Sequence, residues 1–311
     1  MANTEEMANT EEMADLEEMR VEPPGYRFVL VPLDGSDLSD AALPWAHELA
    51  ARFGAEVQAV GVADGTDAAA RLGRHAAQAL GADVTDERLH VVVGDDPAAE
   101  IVRRSTELGS CLVCMSTAGH GRIGSAVGSV ARSVLAATGE PVVAVGRSAD
   151  RSAMSRPRRQ SSDHRTAPGE ERIVACVDGF PPAESVVGVA AAWASALAMP
   201  LTVVTVAEPS PPPARSDVPW RRSHGPAQDA DAYMRDLAAR WADEAPGMDA
   251  VAVYDPISPA SGLESWLDEH PARLMVVTTH ARRGIRRAVL GSTAAAIVRV
   301  SPVPVLVVPL R

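Results

Sequence analysis

The sequence predicts an α/β protein: two tandem Rossmann-like domains, each a five-stranded parallel sheet with helices on both faces. Three observations carry that expectation. The chain repeats itself, reading FVLVPLDGS from Phe28 and RIVACVDGF from Arg172. Each copy also closes alike, with GSVARSVLAATGEPVVAV from Gly128 and GSTAAAIVRVSPVPVLVV from Gly291. Between these landmarks, apolar runs alternate with helical patterns, the order that builds right-handed crossovers and a parallel sheet.

The elements follow in order. Strands in the first copy fall at Phe28–Leu33, Val57–Val62, Leu89–Val93, Cys111–Met115 and Pro141–Val145. These runs are apolar throughout rather than alternating, as strands covered on both faces must be. Helical periodicity fills the gaps at Ser39–Phe53, Ala68–Leu80, Pro97–Leu108 and Ser129–Ala137. The second copy places strands at Ile173–Val177, Leu201–Val206, Ala250–Tyr254, Leu274–Thr278 and Val303–Val308. Its helices fall at Glu184–Leu197, Asp229–Ala245, Ala260–Asp268 and Ser292–Val300. The domain bounds are then 26–147 and 171–311. Residues 148–170, rich in Arg, Ser and Pro, read as a linker. Residues 1–25 read as an acidic, disordered tail built on MANTEE repeats. A Pro-rich insertion, Glu208 to His224, is a lid or a flexible excursion.

Composition narrows the partners. A net charge of −12 argues against nucleic acid, which requires a concentrated basic face. The chain has no lysine, which removes P-loop and Schiff-base chemistry. Its three cysteines are an odd, sparse set suited to a reducing compartment. Cys111 and Cys114 form a CxxC inside a strand, where residues three apart face opposite ways, so neither redox nor zinc chemistry is expected. The long uncharged stretch from Ser185 to Ala207 parses as a buried helix, a turn and a strand rather than a membrane span. The N-terminus shows no signal-peptide pattern, and the expected location is the cytoplasm.

Two constellations could carry function. Asp34 and Asp178 close the first strand of each copy, each followed by glycine. Open α/β sheets bind ligands beyond the carboxyl ends of their strands. A carboxylate there suits ribose hydroxyls or an exocyclic amine, and equally suits an N-cap or Asx turn. The second constellation follows the fourth strand. It reads Ser116-Thr117-Ala118-Gly119-His120-Gly121, then six residues, then Gly128-Ser129-Val130-Ala131. Its counterpart reads Thr278-Thr279-His280-Ala281, then nine residues, then Gly291-Ser292-Thr293. A Gly-Ser helix start offers free N–H groups and a favourable dipole to a phosphate; it also reads as a glycine-eased turn with a serine cap. His120 and His280 recur beside these loops, without a paired nucleophile. Asp95-Asp96 is better read as a helix cap than as a metal pair.

With these residues in place, the chain from about Tyr26 to Arg311 resembles a tandem member of the universal stress protein family. Many members bind ATP through a glycine, two residues, a glycine, nine residues, then glycine and serine or threonine, acting with the strand-one aspartate. The resemblance implies that Asp34 and Asp178 hold the adenosine moiety. It implies that Gly121, Gly128, Ser129 and Val130 wrap the phosphates in the first copy, and Gly291, Ser292 and Thr293 in the second. It also places Pro32, Val62, Gly94, Ala118, Val206, Thr278 and Ala281 at the nucleotide. The copies depart from the pattern differently. Ala118 replaces the first glycine and the first loop is three residues short; Thr278 and Ala281 replace both leading glycines in the second. Gly94 matches the glycine after strand three, where the second copy has Asp255-Pro256.

The resemblance implies a nucleotide-regulated stress-response protein with ATP, and Mg2+ arriving with it, rather than an enzyme; hydrolysis would be slow at most. The last strands, PVVAV and PVPVLVV, are expected to pair the copies as an intramolecular pseudo-dimer, with a homodimer and an unidentified signalling partner beyond it. The alternative is a nucleotide-free interaction scaffold of the same fold.

Overall fold

A computed structural model describes residues 24–118, 127–149, 171–179, 181–207, 230–279 and 290–310. The tail through residue 23, most of the linker and the insertion at 208–229 lie outside them.

In the first half, β1 (Phe28–Pro32) leads through α1 (Asp37–Asp40) and α2 (Leu43–Phe53) to β2 (Glu56–Ala63). Then come α3 (Thr66–Leu80), β3 (Leu89–Val93), α4 (Pro97–Leu108), β4 (Cys111–Ser116), α5 (Ser129–Ala137) and β5 (Val142–Val145). The second half runs β6 (Arg172–Val177), α6 (Pro181–Leu197), β7 (Leu201–Ala207), α7 (Ala230–Arg240) and β8 (Asp249–Tyr254). It closes with α8 (Pro259–Glu269), β9 (Ala272–Thr278), α9 (Ser292–Val300) and β10 (Val305–Val308).

All ten strands belong to one sheet, ordered β3-β2-β1-β4-β5-β10-β9-β6-β7-β8. Within each half every pairing is parallel. The halves meet where β5 and β10 pair antiparallel, with Val143 opposite Leu306. The two last strands thus shield each other's apolar edge, the pairing that the family resemblance implies. The antiparallel junction has a further geometric consequence. The carboxyl ends of the two halves' strands point in opposite directions, so their crevices open at opposite rims of the sheet.

Two apolar layers sandwich the sheet and run across both halves. One joins α2, α3, α6 and α7 to the sheet through residues such as Leu49, Leu80, Trp193 and Leu237. The other joins α4, α5, α8 and α9 through Ile101, Val134, Leu263 and Ile297. Cys114 lies in the first layer and Cys111 packs against the second, so the CxxC thiols diverge. Burial pushes the Cys111 thiol up to about 11 and the Cys114 thiol up to about 12.

Side chains reinforce the junction. Tyr26 and Phe53 from the first half meet Trp193 from the second, with ring centroids 5.8 and 5.1 Å away. Arg273 stacks on Trp45 at 4.6 Å and forks onto the Glu48 carboxylate. Gly146 lies against the Val298 carbonyl, where a methyl group would overlap it.

Some sequence-predicted bounds shift. The helix expected over Ser39–Phe53 is two helices, because Pro44 opens α2 and its ring cannot continue the preceding turn. The strand expected from Val303 begins at Val305, just after Pro304. The helix expected to Ala245 ends at Arg240 and gives way to turns. The stretch from Ser185 to Ala207 is the end of α6 and all of β7. Among the described residues no helix is long and apolar enough to cross a membrane.

Candidate functional site

The site is built where the strand order reverses. β1 lies between β2 and β4, so the chain leaves β1 toward one side and later returns on the other. In such sheets the crevice opens between the carboxyl ends of these central strands. The last paired residues of β1 and β4 are Leu30 and Val113. Four residues beyond each in sequence come Asp34 and Thr117, just past the ends of neighbouring strands. The second half repeats the relation. Val174 pairs with Met275, and four residues beyond each come Asp178 and Thr279.

Asp34 is exposed above the end of β1. Its Oδ1 accepts hydrogen bonds from the Ser36 N–H at 3.0 Å and the Ser36 hydroxyl at 2.5 Å. This is an Asx turn, one of the two structural roles open to the residue from sequence beside the ligand-binding one. Gly35 takes φ +81 inside it, a conformation that disfavours any side chain. Ser36, not Asp34, caps α1 by accepting from the Ser39 N–H. The turn fixes the carboxylate over the crevice. Gly179 repeats the twist after Asp178 with φ +82.

On the β4 side, the Thr117 N–H is tied to Val145 O at 2.9 Å, and Thr117 O accepts from the Gly128 N–H at 2.9 Å. A Cβ on Gly128 would sit 3.2 Å from that same carbonyl. The close approach brings the start of α5 to the end of β4, one strand away from Asp34. Gly128 is the N-cap, with φ −60 and ψ 159 and no side-chain cap. Gly291 caps α9 with nearly the same angles, φ −63 and ψ 161, again without a side chain. The serine-cap alternative is therefore corrected: Ser129 and Ser292 are the first helical residues, not the caps. In each helix the first-turn N–H groups have no intrahelical acceptor and the cap glycine supplies none. The helix dipole adds partial positive charge at the same place. The arrangement suits a bound phosphate or carboxylate.

The other predicted positions surround these two. Pro32 is half-buried, as are Val62 and Val206 at the carboxyl ends of β2 and β7. Gly94 is held by its N–H to Ala63 O at 2.9 Å. Ala118 is fastened to Ser116, whose hydroxyl donates to Ala118 O at 2.9 Å. Val130 is half-buried, while Ser129, Ser292 and Thr293 are exposed. Thr278 is buried at the end of β9. Gly121 and Ala281, with Gly119, His120 and His280, lie outside the described residues. Asp96 is the N-cap of α4, accepting from the Ala99 N–H at 3.0 Å, as expected from sequence. Among the described residues no group of His, Cys, Asp and Glu could hold a metal ion.

Thr117 and Thr279 escape sequence reasoning as structural anchors. Thr279 is 1% exposed, and its hydroxyl accepts from the Leu310 N–H at 3.1 Å. The only signal was the recurrence of a threonine just past the fourth strand of each copy.

Comparison with known proteins agrees with this architecture. The family model described as "Universal stress protein family" matches residues 25–74, 65–146 and 170–309. The chain belongs to the universal stress protein family. The repeated match makes it a tandem member. A universal stress protein from Archaeoglobus fulgidus DSM 4304 superposes with a TM-score of 0.62 at 18% identity, covering 92% of this chain and 99% of that one. A functionally unknown protein from Pseudomonas aeruginosa PAO1 superposes with a TM-score of 0.55 at 18% identity, covering 94% of each chain. At such identities these structures show a shared fold alone. No curated protein matches the chain.

Proposed function

We propose that this universal stress protein binds ATP beyond the carboxyl ends of its central strands and uses it as a regulatory ligand in the stress response. The observation that supports the reading is the placement of Asp34 and the uncapped start of α5 at the carboxyl ends of neighbouring strands, β1 and β4, at the switch point. Asp34 would hold the ribose, and the first-turn N–H groups of α5 with the Ser129 hydroxyl would hold phosphate. Mg2+ would arrive with the nucleotide. Gly121 and Ala281 complete the assignment on the family pattern.

Nucleotide acts in this reading by differential affinity for two conformations, and so by partner choice, rather than by rapid turnover. The partner is a signalling protein and the place of action the cytoplasm. The last strands are already paired within the chain, so a homodimer would use another surface. The Asx turn at Asp34 favours a second reading, a nucleotide-free scaffold, because it gives that carboxylate a structural task of its own.

Mass spectrometry of natively purified, then denatured, protein separates the two. Released ATP or ADP, and a raised melting temperature with added Mg-ATP, are expected. A clean spectrum with no thermal shift supports the scaffold.

A further inference from the structure

The two halves solve one packing problem in opposite ways. After β3, the Gly94 N–H donates to Ala63 O; after β8, the Asp255 N–H donates to Ala207 O. Gly94 and Asp255 are therefore equivalent. In the following helices, Asp96 and Ser258 are equivalent N-caps, which makes Glu100 the counterpart of Gly262. Where the first half is small then large, the second is large then small.

The exchange changes the crevice. A Cβ at Gly94 would touch only Val62 Cγ1, at 3.4 Å, so the space over Val62 stays open. In the second half that Cβ exists. A Cβ on Gly262 would lie 2.7 Å from Asp255 Cβ and 2.8 Å from Val206 Cγ1, so Asp255 and Val206 crowd the same point. The Asp255 side chain does not swing aside freely. Its Oδ1 accepts from the Ile257 N–H at 2.8 Å and the Ser258 N–H at 2.9 Å. A carboxylate thus stands beside Val206, where the first half offers bare backbone. A neutral base seated there would strip water from a charged group without offering it a partner charge.

We infer that Asp255 closes the second half to nucleotide, and that one nucleotide binds per chain, in the first half. The inference rests on the nucleotide reading above. The second half then serves as the structural partner that completes the sheet.

Calorimetric titration of the full chain with Mg-ATP tests it. Ser129 and Ser292 are exposed first-turn positions, where an aspartate favours the helix but repels phosphate. One equivalent is expected for the native chain, lost in Ser129→Asp and kept in Ser292→Asp. Asp255→Gly is expected to take up a second equivalent. Two equivalents in the native chain, or binding lost in Ser292→Asp instead, would overturn the inference yet leave nucleotide binding standing. A folded Asp255→Gly chain that still takes one equivalent would remove Asp255 from the role. Uptake by no variant, and none by the native chain, would instead sink the nucleotide reading itself.

Discussion

The Gly128 N–H donates to the Thr117 carbonyl at 2.9 Å, tying the N-cap of α5 to the end of β4. Thr117 follows the end of β4 as Asp34 follows the end of β1, on neighbouring strands. The bond therefore holds the helix start against the end of β4, the strand that neighbours the aspartate's own β1.

Gly128→Val should loosen the tie. The added Cβ would stand 3.2 Å from Thr117 O, too near for comfort, and the branched side chain is larger still. Overpacking of this kind costs roughly 1–3 kcal/mol. Urea unfolding should show that loss, together with weaker Mg-ATP binding. Unchanged stability and affinity would mean that α5 can start elsewhere.

Gly146→Ala tests the junction between halves. Its methyl would overlap the Val298 carbonyl, so strands β5 and β10 or helix α9 must shift. The expected destabilisation is roughly 1–3 kcal/mol. Gly139 offers a control, since a Cβ there meets nothing within 4 Å. Gly139→Ala should stay within about 0.5 kcal/mol of the native chain.

Arg273→Ala should weaken the same junction from the opposite face of the sheet. It removes a forked ion pair with Glu48 and the stacking on Trp45, together roughly 2 kcal/mol. Arg273→Lys should rescue little, because an ammonium cannot fork onto the carboxylate. Tryptophan fluorescence and circular dichroism should report one shared unfolding transition, since Trp45 and Trp193 both sit at the boundary. Two separated transitions would mean that the halves fold independently.

The cysteines give a pH-dependent prediction. Burial pushes the Cys114 and Cys176 thiols up to about 12. Both are raised above their unfolded value, so the folded state holds the protons more tightly. The stabilisation they contribute is whole below the unfolded pKa and fades as pH climbs from about 9 toward 12. Native protein at pH 8 should resist alkylation at Cys114, which is fully buried, and unfolded protein should react there at once. Rapid native labelling would contradict the burial.

Much of this was legible in the sequence, for identifiable reasons. The bounds Pro97–Leu108, Ser129–Ala137 and Ser292–Val300 coincide with the helices because a proline or Gly-Ser start marks each. The pairing of PVVAV with PVPVLVV was implied by the family resemblance, and two apolar edges that needed cover made it physically sensible. The break before Pro44 was hidden because the apolar spacing runs through it. Asp34 and the Gly128 start were visible as repeats. What they share, the Thr117 carbonyl and the strand register, was not, because register is set by neighbouring strands. The exchange of Gly94 and Glu100 for Asp255 and Gly262 was half visible. Asp255 stood out in the sequence, but its crowding of Val206 depends on a helix packed from elsewhere.

The central claim is that Asp34 and the start of α5 grip one nucleotide. Its most direct measurement is the Mg-ATP affinity of Asp34→Ala and of Ser129→Asp beside the native chain. Loss of the charged partner in Asp34→Ala, and the charge repulsion introduced by Ser129→Asp, should each weaken binding about tenfold or more, with circular dichroism unchanged. Native affinity in both variants would show that the aspartate and the helix start do not meet on a ligand at all.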